Sequence, residues 1–185
     1  MIEDIVSEAE KRMHGAVEAA QREFATIRTG RANPGLLERI TVDYYGTPMP
    51  INQLATISVP EPRLLVISPW DKNALPLIER AITKSDLGLT PTSDGHVIRL
   101  NIPHLTEERR KEMIKLLHKK AEEARVAVRN VRRDANEHLK QAEKSGEISE
   151  DEVHRTQERI QKITDKFIEQ IDHLTAAKEA ELMEV

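Results

Sequence analysis

Four arginines, Arg125, Arg129, Arg132 and Arg133, recur at helical spacing within the run ARVAVRNVRRDAN at residues 124–136. At about 100° per residue they span an arc of roughly 100°, centred roughly 110° around from an apolar seam on the same segment. A guanidinium is permanently charged and presents a planar fork of donors that matches phosphate oxygens two at a time. On an ordinary solvated helix face such cations pair with carboxylates three or four residues away. Here Glu122 is placed to reach Arg125 or Lys119 and Asp134 adjoins Arg133, but no carboxylate precedes the middle of the stripe by four residues. The stripe is therefore expected to have few acids to pair with and to suit a nucleic-acid backbone.

Other chemistry finds no support. The seven histidines, His14, His96, His104, His118, His138, His154 and His173, include no pair at i, i+4 and no HExxH run, so no metal site is expected. The Gly30–Gly35 spacing mimics the start of a phosphate loop, but Leu36 and Leu37 stand where Lys and Ser or Thr would reach phosphate and magnesium. Nothing brings two carboxylates into a cleft for acid-base work. Tyr44, Tyr45 and Trp70 could stack on bases, but in a small strand-rich segment they are expected to be core. The expected class is a binding or mechanical protein, not an enzyme, with no cofactor.

The elements that must position the stripe are legible from periodicity. Ile2, Ile5, Val6, Ala9, Met13, Ala16, Val17, Ala20, Phe24 and Ile27 predict a helix over 1–29, ended by Gly30. Residues 31–104 hold all nine prolines and four of the seven glycines, which marks a separate small domain. Its strands are expected at 37–45, 54–59, 64–68 and 97–102, mostly antiparallel because the connections are short, with a helix at 73–84. Helical texture resumes with Thr106 as N-cap and a seam of Met113, Leu117, Ala121, Ala124, Val128, Val131, Ala135, Leu139 and Ala142, and Gly146 closes it. Ser149 and Glu152 have capping-box spacing, Ile148 and Val153 the staple positions, and Val153, Ile160, Ile163, Phe167, Ile171 and Leu174 supply a third seam. Three such seams can be buried only against one another. An elongated three-helix bundle is expected from residues 1–30 and 105–185, with the 31–104 domain inserted and two adjacent crossings acting as a hinge.

With 185 residues and a net charge of −4, the chain has room for one or two domains, and its average charge hides a segregation. Residues 106–145 carry 12 Lys and Arg against 8 Asp and Glu, whereas residues 146–185 carry 5 against 11. Phosphate responds to the nearby field, since screening acts over roughly 8 Å at physiological salt. There is no cysteine, no apolar run of roughly 18 residues, and an acidic amphipathic start unlike a signal peptide. A cytoplasmic protein is expected.

Several strings, in order, resemble the bacterial ribosome recycling factor family: IRTGRANPGLL (27–37), DYYGTP (43–48), QLA (53–55), SDLGL (85–89), LTEERRKEM (105–113), ARVAVRNVRRDAN (124–136) and KEAELMEV (178–185). The resemblance covers essentially the whole chain. It implies an α+β fold, an antiparallel three-helix bundle with an inserted small β/α/β domain on a flexible hinge. It further implies a monomer that binds the post-termination ribosome through large-subunit ribosomal RNA. With elongation factor G, and GTP hydrolysis by that partner, the subunits are split; no membrane or DNA is involved. Residue by residue, it assigns RNA contact to Arg28, Arg31, Arg110, Arg129 and Arg132, to which the shared flank adds Arg125 and Arg133. The hinge falls on Gly30, Arg31, Ala32, Asn33 and Pro34 and on Pro103, His104 and Leu105. Many members read Pro-Pro-Leu at the second crossing; His104 here leaves φ less restricted. The competing expectation is a structural or chaperone-like coiled coil whose seams join copies of itself.

Overall fold

The computed structural model describes residues 1–184 and separates into two compact units, one of Met1–Phe24 with the chain from Ile114 onward, the other of Ala25–Met113. Val185, the last residue of the expected bundle, lies outside the described residues.

The first unit is built from α1 (Ile2–Ala25), most of α3 (Glu107–Lys144) and α4 (Glu150–Met183). Ion pairs between helices fix their directions. Arg12 donates to Asp134 (3.1 Å) and Lys120 to Glu23 (2.6 Å), so α1 and α3 are antiparallel. His118 faces Glu179 (3.3 Å), and Arg125 bonds Asp172 (2.8 Å), so α3 and α4 are antiparallel too. Arg159 holds Glu3 through both guanidinium nitrogens (2.6 and 3.1 Å), and Thr164 lies against Met13, which leaves α1 and α4 parallel. The expected α3 seam is buried throughout except Met113, which is half-buried. Full burial of each large side chain such as Met13, Leu117, Leu139 or Ile160 contributes roughly 1.5–3 kcal/mol.

The seam of α4 differs from expectation. Ile163 and Leu174 are only half-buried, and the buried line runs Val153, Thr156, Ile160, Thr164, Phe167, Ile171, Thr175, Lys178, Leu182. Each threonine satisfies its hydroxyl on the carbonyl four residues back, Glu152, Ile160 and Ile171 respectively, all at 2.7 Å. That leaves the threonine methyl for packing at no cost in unpaired polar groups.

The ends of these helices obey local chemistry. Ser149 and Glu152 form a reciprocal capping box, with Ile148 and Val153 buried beside it. Gly146 (φ +78°) closes α3: its N–H reaches Glu143 and that of Glu147 reaches Ala142, the paired bonds of a Schellman motif. Thr106 caps the start of α3 by accepting from the Arg109 N–H at 3.1 Å. The first helix, by contrast, stops at Ala25, short of 29, and Gly30 (φ +79°) does not cap it. The reason is tertiary. Asn33 donates to the Ala25 carbonyl (3.4 Å), and the Pro34–Leu37 3₁₀ turn packs so closely that a Cβ on Gly35 would lie 2.8 Å from that of Ala25.

In the second unit, β1 (Thr41–Tyr44) and β2 (Thr47–Pro50) form a hairpin, and β3 (Ala55–Glu61), β4 (Leu64–Pro69), β5 (Thr92–Ser93) and β6 (Ile98–Asn101) form a sheet in the order β3-β4-β6-β5. Every pairing is antiparallel. Helix α2 (Ala74–Lys84) lays Ile78 and Ile82 against Leu65, Ile67, Ile98 and Leu100, with Leu36, Leu37, Val42 and Ile51 completing the core. The strand expected at 37–45 begins only at Thr41, because Pro34 and Gly35 open a 3₁₀ turn. The short β2 and β5 went unpredicted, the first disguised by Pro48 and Pro50. The connecting segments are tied to the β3–β4 turn: the Ala32 N–H donates to the Pro62 carbonyl (2.7 Å) and that of Ile102 to the Arg63 carbonyl (2.8 Å). Of the aromatics expected in this core, Tyr44 is half-buried, but Tyr45 and Trp70 are largely exposed.

Candidate nucleic-acid interface

Arg125, Arg129, Arg132 and Arg133 share one flank of α3 in the first unit, and the structure divides them by partner. Arg125 is 23% exposed, donates from Nε to Asp172 (2.8 Å) on α4 and from a terminal nitrogen to Glu122 (3.0 Å). Burial opposes its charge, but the bonds from Asp172 and Glu122 outweigh burial and hold its pKa above the ordinary arginine value. Arg129 reaches the other oxygen of Glu122 at 3.3 Å. The expectation of few acidic partners is thus corrected for these two. A sequence scan at i, i+4 counts only carboxylates on the same helix and adjacent turn. It misses Asp172, which arrives from α4, and the two-turn reach from Arg129 back to Glu122. The groove between α3 and α4 here, about 750 Å³, includes His118, Arg125, Arg129, Glu122, Asp172 and Glu179 in its lining, so acids match cations in it.

Arg132 and Arg133 are held differently. Arg132 donates to the amide oxygen of Gln161 (3.0 Å), and Gln161 in turn donates to Asp165 (2.8 Å). The Arg132 Nε is buried without a hydrogen-bond partner, as is the Asn136 Oδ1 one turn on. Arg133 is exposed and donates to the amide oxygen of Asn130 (3.3 Å). Among the described residues, no carboxylate lies within ion-pair distance of either guanidinium. A neutral amide orients Arg132 without cancelling its charge. Sequence reasoning missed Gln161 as the residue that orients Arg132, since a glutamine on a later helix gives no signal.

The remaining arginines of the expected interface belong to the second unit. Arg28 is half-buried and lines a cavity of about 630 Å³ with Arg39, Arg80, Lys84, Asp43 and Asp86. Burial lowers its pKa from the ordinary value, the charge of Arg109 adds to that, and Asp86 opposes it. Arg110 is half-buried with its Nε unpaired. Arg31 is exposed, its backbone N–H donating to the Thr29 hydroxyl at 3.4 Å. Of the expected hinge residues, Gly30 packs 3.5 Å from the Leu105 backbone nitrogen, measured from where a Cβ would stand, and Asn33 caps its own turn by accepting from the Gly35 N–H at 2.9 Å. Pro34 opens that turn; Pro103 and His104 are exposed in irregular backbone. Among the described residues, no group of three or more His, Asp or Glu is placed to hold a metal, and no helix is long and apolar enough to cross a membrane.

A sequence model of the family described as ribosome recycling factor matches residues 20–183. The chain is 62% identical over 185 residues to the ribosome-recycling factor of Carboxydothermus hydrogenoformans and 57% identical to that of Bacillus subtilis, each covered end to end. Among solved structures, it resembles a solution structure of the ribosome recycling factor with a TM-score of 0.80 and 55% identity, covering all of this chain and 98% of that one. It also resembles the Thermus thermophilus factor placed with Escherichia coli elongation factor G on the E. coli post-termination complex, with a TM-score of 0.73, 46% identity and both chains fully covered.

Proposed function

Because the chain belongs to the ribosome recycling factor family, we propose that it binds the post-termination ribosome through phosphates of large-subunit ribosomal RNA and acts there with elongation factor G to separate the subunits. The observation that carries the RNA contact is the state of Arg132. Among the described residues its charge meets no carboxylate, and a neutral amide orients it. A phosphate offers the missing negative charge. Arg133 and Arg129 extend the contact along the same flank, while Arg125 contributes mainly to holding α3 on α4. Arg28, Arg31 and Arg110 form a second basic group for the same partner.

The chain supplies no chemistry of its own in this reading. Binding energy fixes the helical unit on RNA, GTP hydrolysis by elongation factor G drives movement, and the small unit receives the push. Gly30 to Pro34 and Pro103 to Leu105 are the proposed bending points. Gly30 has the left-handed φ that only glycine adopts readily, and His104 lacks a proline's restraint. The self-associating coiled coil finds no support, because the apolar seams of all three long helices are already buried within one chain. The protein works as a cytoplasmic monomer. Ribosome co-sedimentation tests this, with and without elongation factor G and GTP. The parent should pellet with ribosomes and, with the partner and GTP, yield free subunits. A parent that stays in the supernatant at low salt sinks the assignment. Arg132→Lys separates fork from charge: a marked loss of binding favours oriented phosphate contact over general attraction.

A further inference from the structure

Gln161 poses a choice that its own shape does not settle. A glutamine amide has nearly the same outline with its oxygen and nitrogen exchanged, yet only the oxygen can accept from a guanidinium; the nitrogen would turn donors against donors. It is the oxygen that faces Arg132, whose Nη1 donates to Oε1 at 3.0 Å. The reason lies one turn further along α4. There Asp165 accepts from the Gln161 Nε2 at 2.8 Å through Oδ1. An ionised carboxylate can only accept, so the amide nitrogen is held on its side and the oxygen is left for α3. A spacing of four residues on one helix is what lets the two side chains meet. Arg132, Gln161 and Asp165 thus form a directed chain in which each donor faces the next acceptor toward the carboxylate. Bonds aligned in that way polarise and strengthen one another.

The chain of bonds separates orientation from neutralisation. A carboxylate at position 161 would also hold the guanidinium, as Asp172 holds Arg125 (2.8 Å), but it would bring a full opposite charge into contact. With glutamine between them, Asp165 acts on Arg132 through a neutral amide and leaves the cation its field. Gln161 and Asp165 are both exposed, while the buried line of α4 passes them through Ile160, Thr164 and Phe167. Exposed polar pairs contribute little to holding helices together. The arrangement serves the guanidinium more than the bundle.

We propose that Gln161 and Asp165 are positioning residues for the RNA contact: Asp165 fixes which end of the Gln161 amide faces α3, and that amide points the charged Arg132 guanidinium at phosphate. The inference rests on the phosphate reading of Arg132 above. The test titrates full-length variants against post-termination ribosomes by co-sedimentation at several salt concentrations, with circular dichroism confirming that these exposed substitutions leave the fold intact. Asp165→Ala is the decisive change, because two accounts give it opposite signs. If net charge alone mattered, removing an acid near RNA would tighten binding; with the amide unlocked, affinity should instead fall about threefold. Asp165→Asn keeps an oxygen that can accept from Gln161, so it should bind within about twofold of the parent. Gln161→Glu should lower affinity about tenfold and make the slope of log affinity against log salt shallower by about 0.7–0.9, because the new carboxylate discharges Arg132. In an Arg132→Ala chain, Asp165→Ala should change affinity no further, since it acts through that arginine. Parental or tighter binding by Asp165→Ala, an equal loss in Asp165→Asn, parental binding by Gln161→Glu, or an undiminished effect of Asp165→Ala without Arg132 overturns the proposal. If Arg132→Ala itself binds like the parent, the phosphate reading fails first and takes this inference with it. If Arg132→Ala binds weakly and Asp165→Ala does not, this inference alone fails.

Discussion

Arg125 and Arg132 lie two turns apart on the same flank of α3, yet opposite kinds of partner hold their guanidiniums. Arg125 is bracketed by two carboxylates, Asp172 and Glu122. Arg132 is oriented by the neutral amide of Gln161. The first arrangement spends the charge on joining two helices. The second fixes the geometry of the side chain and leaves its field directed outward. Four arginines that look equivalent in the sequence therefore divide into two held by carboxylates, Arg125 and Arg129, and two held by neutral amides, Arg132 and Arg133.

Removing the outward charge is the strongest way to probe that division. Arg132→Ala should weaken ribosome binding about tenfold or more, the worth of one charge-assisted contact. It should also make the slope of log affinity against log salt shallower by about 0.7–0.9, with helical content unchanged by circular dichroism. Arg125→Ala should behave inversely. Unfolding should become easier by about 1 kcal/mol, as expected for a half-buried paired charge, while ribosome affinity moves less than about threefold by co-sedimentation titration. Equal losses of affinity in the two variants would erase the distinction. Glu122→Gln sharpens it from the other side, because it partly frees Arg125 and Arg129. Ribosome affinity should rise about twofold to threefold, with a steeper salt slope.

The smallest effect concerns a third disposition of a cation. Lys178 is buried in the α4 seam and pairs with Glu181 at 3.6 Å. Burial lowers its pKa from the ordinary 10.5, and Glu181 offsets part of that. Below the folded pKa the lysine is charged in both states and the native state carries the full penalty. As pH rises from the folded pKa to 10.5, the native state sheds its proton first, the penalty fades, and stability increases. Lys178→Met should be somewhat more stable at neutral pH, by up to about 1 kcal/mol, and should lack this alkaline rise. Thermal melts of both proteins across that window, compared as a difference, check it.

The helical seams were legible because burial on a helix imposes a spacing that leucines, alanines and valines reveal directly. Thr156, Thr164 and Thr175 escaped that reading because threonine counts as polar in a pattern, whereas a hydroxyl returned to its own helix leaves an apolar methyl surface. The stop at Ala25 was hidden for a related reason: its carbonyl is satisfied by Asn33, from beyond the helix. At the interface, the positions of the arginines could be read from the chain, but not their partners. Asp172 and Gln161 lie 47 and 29 residues from the arginines they hold. The exposure of Trp70 and Tyr45 likewise depended on which face of a small sheet α2 covers.

The discontinuity of the helical unit also sets an order of events in time. The turn from Gly146 to Ser149 satisfies its backbone through the Schellman motif and the capping box, so α3 and α4 can meet as a hairpin from contacts local in sequence. Helix α1 has no such neighbour. Its partners lie beyond the intervening Ala25–Met113, and at a synthesis rate of about 5–20 residues per second its apolar face waits on the order of ten seconds for them. The small unit can fold during that interval, and α1 joins last by a long loop closure. Substitutions in the α1 seam such as Met13→Ala should accordingly speed unfolding more than they slow refolding, whereas Leu139→Ala should slow the refolding of the α3–α4 pair.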